Sequence, residues 1–317
     1  MTPALADANN GNWQTAQRWS TMLTGAYRVH LASGWEQGGE ALMIALHARR
    51  SAASIAAWRA TGRPCVLVLT GTDLYRDIAG DADAQASIRS ADRLVVLNEL
   101  GLRQLPPRLR AKASVVLQSS RARRPLAKPA GHLRALMVGH LREEKAPATY
   151  FEAARLLADR ADILLDHIGA ALTPAFEAQA QALMADCPHY HWLGPLPHGT
   201  TLRHIQAAHV LVHTSRIEGG PHVVIEAVRS GTPVLASRID GHVGLLGPAY
   251  GGYFPVGDAA ALATLLRRSR DEPAMLGGLQ AACNERDALF DPAHEREALR
   301  ALVGDLLSRP PHPGARR

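Results

Sequence analysis

Cysteine is scarce in this chain and follows no pattern. Cys65, Cys187 and Cys283 are the whole set. They lie far apart, are odd in number, and form neither a C-x-x-C pair nor a Cys/His array. That excludes a disulfide framework and gives no support to a zinc site, so no metal is expected. Cys65 opens an apolar run and reads as a small core residue. Aromatic residues make up only 5%, and none is interleaved with the basic residues Arg121, Arg123 and Arg124 or with Arg316 and Arg317. RNA recognition leans on such stacking groups, so the basic residues read as solvated linker and tail, with no nucleic-acid partner. No apolar run approaches the ~18 residues that a membrane-spanning helix takes. The N-terminus also lacks the basic-then-apolar order of a signal peptide. A soluble, cytoplasmic protein with no membrane partner is expected.

What is present describes a globular protein. The 317 residues are 47% hydrophobic and 20% charged, with a formal net charge of +6, an ordinary balance for a folded chain. The length suffices for two domains with cores of their own. The positive excess admits nucleic acid, an anionic membrane surface or anionic substrates. Alanine-rich segments between short β-branched runs suit an α/β protein better than a sandwich.

Taken in order, residues 1–12 are loop-like and a helix spans about 15–23. A doubly wound domain opens on a strand with a glycine-containing loop behind it. Here Gly11 and Asn12 supply the loop, but almost nothing precedes them. The first strand is either missing or reduced to a stub at residues 2–5. Strands are expected at 27–31, 41–46, 66–69, 94–97 and 114–117, with helices from 51 and 83. Residues 121–132 form a linker between a first domain over 1–120 and a second over 133–308. The second domain repeats the alternation, with strands at 133–138, 163–168, 191–193, 210–212 and 234–236. Its helices span 147–158, 174–184 and 200–208, and more follow from 258 to about 307. The tail 309–317 holds three prolines and is expected to be disordered. Such alternation predicts parallel sheets with right-handed crossovers, that is, two Rossmann-like halves.

The stretch from Thr214 to Ala227 is the most informative. The apolar run Val210-Leu211-Val212 leads into it, and Val223, Val224, Ala227 and Val228 recur at helical spacing beyond it. Gly219 and Gly220 therefore sit in a strand-to-helix turn, where backbone can approach a ligand closely. Pro221 takes a first helical position, where a missing N–H costs nothing, and the helix N-terminus offers N–H groups to a phosphate. Glu218 stands at the mouth of the turn. Glu226 lies about a turn and a half into the helix, able to accept hydrogen bonds from a ribose diol. In open α/β sheets ligands bind at strand ends. Collecting those ends adds Gly11 and Asn12; His47, Arg49, Arg50 and Ser51; Thr72 and Asp73; and His140, Arg142 and Lys145. Each has a plain structural use as well: Arg142 to Lys145 as a salt-bridged surface, His47 as a core histidine, Asp73 as a helix cap.

This arrangement, two glutamates with seven residues between them behind a strand and ahead of a Gly-Thr-Pro-Val strand, resembles the signature of retaining glycosyltransferases of the GT-B fold, the nucleotide-sugar family GT4. The resemblance implies two facing Rossmann-like domains with a cleft between them. It also implies a metal-independent reaction with no cofactor, in which a UDP-sugar is the co-substrate. Glu226 would hold the ribose, Arg142 and Lys145 the diphosphate, and Glu218 with Gly219, Gly220, Pro221 and His222 the donor sugar. His140 stands where the family's arginine directly follows the glycine. His47 would touch the donor sugar, and Gly11 and Asn12 would approach the diphosphate. Arg49, Arg50, Ser51, Thr72 and Asp73 would face an anionic acceptor.

A narrower likeness covers nearly the whole chain. Gly11-Asn12-x-x-Thr15-Ala16-x-Arg18-Trp19, Leu69-Thr70-Gly71-Thr72-Asp73-Leu74-Tyr75, Gly139-His140-Leu141-Arg142-x-Glu144-Lys145 and Gly241-His242-Val243-Gly244 are similar to the selenosugar synthases of selenoneine biosynthesis. That family joins UDP-N-acetylglucosamine to selenophosphate, forming a carbon–selenium bond. His222 and His242 stand where that family carries asparagine, which bears on sugar selectivity. A conventional retaining transferase with a hydroxyl acceptor is the first alternative. A non-catalytic module that binds a nucleotide-sugar is the second.

Overall fold

The computed structural model describes residues 1–3 and 11–308. The expected tail at 309–317 and residues 4 and 5 of the expected strand stub fall outside the described residues. The chain divides into two compact units. One comprises Met1–Ser119, Glu218–Gly220 and Pro292–Arg317; the other comprises Ser120–Ile217 and Pro221–Asp291.

In the first unit, Met43–Leu46 (β1), Cys65–Leu69 (β2), Arg93–Val96 (β3) and Ala113–Val115 (β4) make a parallel sheet in that order. Apart from Arg93 and the edge strand β4, their apolar character is continuous because both faces are covered. Successive side chains point to opposite faces. Leu67, Leu69, Leu94 and Val96 therefore pack with Ile55, Trp58 and Ile88 from the helices Ala52–Arg59 and Ala82–Ser90. Val66, Val68 and Val95 pack on the other side with Trp19, Met22, Leu299 and Val303 from the helices Gly11–Leu23 and Pro292–Leu307. Cys65 lies in the first of these layers, where burial pushes its thiol up to about 12.

Two local expectations change here. Gly11 and Asn12 form the first turn of a helix and not a loop before it, because the Thr15 hydroxyl donates back to the Gly11 carbonyl at 2.8 Å. The expected strand at 27–31 is absent, apart from an isolated bridge between Thr24 and Tyr27. The Met1 ammonium donates to Ile44 O and the Met1 carbonyl accepts from Leu46 N–H, so this residue lies along the edge of β1, while Thr2 N–H reaches Ala32 O. Pro3 has no N–H with which to continue a ladder.

The second unit has six parallel strands: Leu133–Val138 (β5), Ile163–Ile168 (β6), Tyr190–Trp192 (β7), Val210–His213 (β8), Val234–Ser237 (β9) and Tyr253–Phe254 (β10). Their order across the sheet is β7-β6-β5-β8-β9-β10. The chain winds outward in one direction from β5, then returns to β5's other side and winds outward again. This is the doubly wound order, with its switch point between β5 and β8. The stretch 116–129 has no regular secondary structure, and from Ser120 on it is held to this unit. Arg123 N–H donates to Arg229 O, and the Gln206 amide donates to Arg124 O. Among the described residues no helix is long and apolar enough to cross a membrane.

The helix Pro292–Leu307, expected in the second domain, groups with the first unit instead. The reason is Glu295, which is 2% exposed. Its carboxylate takes a two-pronged bond from Arg18, a 2.6 Å bond from the Trp19 indole N–H, and bonds from the Ser119 N–H and hydroxyl. Glu295→Ala would leave the Arg18 charge and the indole N–H without their acceptor, and breaking such a buried pair costs about 3–5 kcal/mol. Chemical denaturation should show a loss of that order, with Glu295→Gln losing less because it keeps an acceptor oxygen.

Candidate active site

At the switch point the ends of β5 and β8 carry two loops that are tied to each other. Beyond β5, residues 139–142 lead into the short turn Glu143–Lys145 and then the helix Pro147–Leu156. Beyond β8, residues 214–217 lead toward the helix His222–Val228. The Thr214 hydroxyl donates to Lys145 O at 2.7 Å, and Arg216 N–H donates to Glu144 O at 2.8 Å. The Ser237 hydroxyl at the end of β9 donates to Ser215 O. Gly139 lets the Lys145 side chain run back over the strand end, since a Cβ there would already touch Lys145 Cδ at 3.4 Å. Arg142 is exposed, 3.9 Å from the Glu144 carboxylate. His140 accepts from Ala170 N–H through Nδ1.

Beneath these loops are further histidines, of which the sequence singles out only His242. His167, inside β6, has Nε2 3.2 Å from Gly139 O and Nδ1 3.1 Å from the Tyr190 hydroxyl. Burial pushes its pKa down to about 4, so the ring is neutral. It then carries its hydrogen on Nε2, where only an acceptor faces it. His213 and His242 are buried side by side, Nδ1 to Nε2 at 2.7 Å, with His242 Nδ1 2.6 Å from Ser237 O.

Glu226 is 5% exposed. One of its oxygens, Oε1, lies 2.6 Å from His198 Nε2 and 3.1 Å from His222 Nδ1. Burial alone would push this carboxyl up, but the His222 charge and the bonds from His198 and His222 outweigh it and hold the pKa at about 2. His198, on the helix His198–Ala207, is raised in turn, chiefly by its bond to Glu226.

In the first unit the loops after β1 and β2 meet through Asp73. Its fully buried carboxylate accepts from the N–H groups of Ala48, Thr70 and Gly71, each at 2.9 Å. Ser51 is buried as well, its hydroxyl donating to Leu46 O. Asp73 and Ser51 therefore build this loop, and the contact with an acceptor expected of them is already taken by backbone. Arg49 and Arg50 are exposed beside it, Arg49 3.3 Å from Asp77, and Thr72 is half-buried. His47 has a φ of 74°, a sparsely populated backbone state for a residue with a side chain. Its Nδ1 accepts from Arg50 N–H and its Nε2 lies 3.1 Å from Thr72 Oγ1, so the hydrogen sits on Nε2. Burial lowers its pKa and keeps it neutral.

Glu218–Gly220 group with the first unit, and the close approach of the glycines is to protein. A Cβ on Gly219 would fall 2.4 Å from Thr70 backbone atoms, and one on Gly220 would fall 2.7 Å from Leu97 Cβ. Asn98 Nδ2 donates to Gly219 O at 2.7 Å. These two glycines, expected to let backbone approach a ligand, bring it against protein. Gly11 lies exposed in the first turn of its helix.

The sign of the Glu226–His198 coupling sets its pH range. The depressed carboxyl contributes stability above its ordinary value of 4.5, which is lost as pH falls toward about 2. The raised imidazole contributes below its ordinary 6.5, and this is lost as pH rises through its folded value. An NMR titration should find His198 titrating above 6.5, and Glu226→Gln should move it down. No downward movement would break the coupling.

Comparison with known proteins accords with this geometry. The family model "Glycosyl transferases group 1" matches residues 118–286, over half of the chain. No curated protein sequence matches the chain. Among solved structures, the chain is similar to a sucrose-phosphate synthase from Thermosynechococcus elongatus, with a TM-score of 0.71 and 21% identity over 84% of this chain and 74% of that one. It is similar to a point mutant of S. aureus TarM in complex with fondaparinux, α-GlcNAc-glycerol and UDP, with a TM-score of 0.68 and 14% identity over 84% of this chain and 55% of that one. It is also similar to Anabaena HepE in complex with UDP and glucose, with a TM-score of 0.67 and 14% identity over 84% and 78%. At these identities the likeness is one of fold. By its family match and its paired parallel sheets, the chain belongs to the group 1 glycosyl transferases and is a glycosyltransferase of the GT-B fold.

Proposed function

We propose that this enzyme transfers a sugar from a nucleotide-sugar donor held at the switch point of the second unit. The observation that carries the reading is the tying of the Lys145 loop to the 214–217 loop at the ends of β5 and β8, with buried, ionised Glu226 on the helix that follows. Glu226 accepts the ribose diol. Lys145 and Arg142 oppose the charge that develops on the β-phosphate oxygen as the nucleotide leaves; fixed cations need no reorganisation at that moment. Pro221, His222 and His140 complete the donor surroundings within the second unit. HepE in complex with UDP and glucose supports a uridine nucleotide.

For the substrates we favour UDP-N-acetylglucosamine and selenophosphate. Support comes from the sequence likeness and from the exposed pair Arg49 and Arg50 beside the His47 loop, which suits a small polyanion. Selenium attacks the anomeric carbon, the bond from that carbon to the β-phosphate oxygen breaks, and UDP leaves with the electron pair. Water then cleaves the selenium–phosphorus bond and releases phosphate. An already ionised, soft nucleophile needs little general-base help. A hydroxyl acceptor is the second reading, favoured by the likeness to sucrose-phosphate synthase.

Mass spectrometry of UDP release from UDP-N-acetylglucosamine, with and without selenophosphate, tests this directly. Selenophosphate-dependent release with a selenium-bearing sugar is expected. UDP binding without such release would remove the selenium reading and leave the hydroxyl-acceptor one. Lys145→Ala should lower kcat about 10²–10³-fold, whereas Glu226→Gln should weaken UDP binding about tenfold. Unchanged turnover in both variants would contradict the site.

A further inference from the structure

A carboxylate that only had to meet a ribose would not need two imidazoles on one of its oxygens. Oε1 of Glu226 lies within hydrogen-bond reach of His198 Nε2 at 2.6 Å and His222 Nδ1 at 3.1 Å. The two rings come from different elements. His222 stands one turn before Glu226 on the same helix, while His198 belongs to the helix His198–Ala207 that follows β7. The terminal torsion of a glutamate is broad. One anchor would leave the carboxylate free to swing about that anchor; two anchors on separate elements fix its plane. Two donors also fill the lone-pair sites of Oε1.

Resting on the reading of Glu226 as the ribose acceptor, we propose that His198 and His222 are positioning residues that set the selectivity of this site for ribonucleotides. By saturating Oε1 and fixing the carboxylate plane, they leave Oε2 as the acceptor for the vicinal diol. They touch the carboxylate and act through it. The geometry further dictates which replacements preserve the function. The side-chain nitrogen of glutamine mimics imidazole Nε2 and that of asparagine mimics Nδ1. His198→Gln therefore keeps the arrangement and His198→Asn does not, while His222→Asn keeps it and His222→Gln does not.

Calorimetric titration of the full chain with UDP and with 2′-deoxy-UDP tests this. The native protein should prefer UDP by about tenfold or more, the scale of a hydrogen bond to a charged group. His198→Ala should bring UDP down to the affinity of 2′-deoxy-UDP and leave the latter unchanged, and His222→Ala should likewise remove the preference between the two nucleotides. His198→Gln and His222→Asn should restore the preference. Equal weakening of both nucleotides in the alanine variants, or restoration by either amide at either position, would overturn the proposal. Glu226→Gln separates the two levels. If it leaves the preference intact, the ribose reading itself fails and takes the proposal with it. If it abolishes the preference while the alanine variants keep it, the ribose reading stands and the positioning role falls.

Discussion

The direct parallel pairing of β5 with β8 is the constraint on which the second unit depends. These strands are distant in the chain, and each begins a separate outward winding of the sheet. At their C-terminal ends the following loops must diverge, which opens a crevice that no other neighbouring pair of strands offers. The crevice alone would be soft. Thr214 and Arg216 close it from one side by bonding to the backbone of Lys145 and Glu144, and Ser237 supports Ser215 from β9. Lys145 is thereby delivered by backbone that both loops share.

Histidine does the polar work beneath this surface. His167 props the Gly139 carbonyl, His242 links His213 to Ser237, and His198 with His222 holds Glu226. The common logic is that imidazole both donates and accepts in a confined space. Burial keeps His167 neutral, whereas the buried carboxylate beside His198 raises that ring. In the first unit Asp73 plays the corresponding part by gathering three backbone N–H groups, and His47 is kept neutral by burial and fixed in one tautomer by Arg50 and Thr72.

Much of the fold was legible because its signals are local. Continuous apolar runs such as Cys65–Leu69 and Val210-Leu211-Val212 are strands covered on both faces, and Pro147 and Pro174 mark first helical turns. The strand expected at 27–31 is absent because strand propensity needs a partner, and among the described residues only Thr24 bridges to it. The closing helix was misassigned because nothing in its own sequence says that Glu295 will be buried against Arg18 and Trp19, far away in the chain. The same holds at the site. Glu226 stands out through its motif, but His198, 28 residues earlier, meets it only through tertiary structure. Gly219 and Gly220 announce a close approach without saying to what, and here it is to the Thr70 and Leu97 regions.

The central claim is that the nucleotide sits at the switch point of the second unit. Hydrogen–deuterium exchange with and without saturating UDP tests it most directly, since loop and helix-terminal amides report binding locally. The account predicts new protection at residues 139–146 and 214–228, with the far ends of the same strands unchanged. Protection confined to other segments, with 139–146 and 214–228 exchanging as in the free protein, would contradict it.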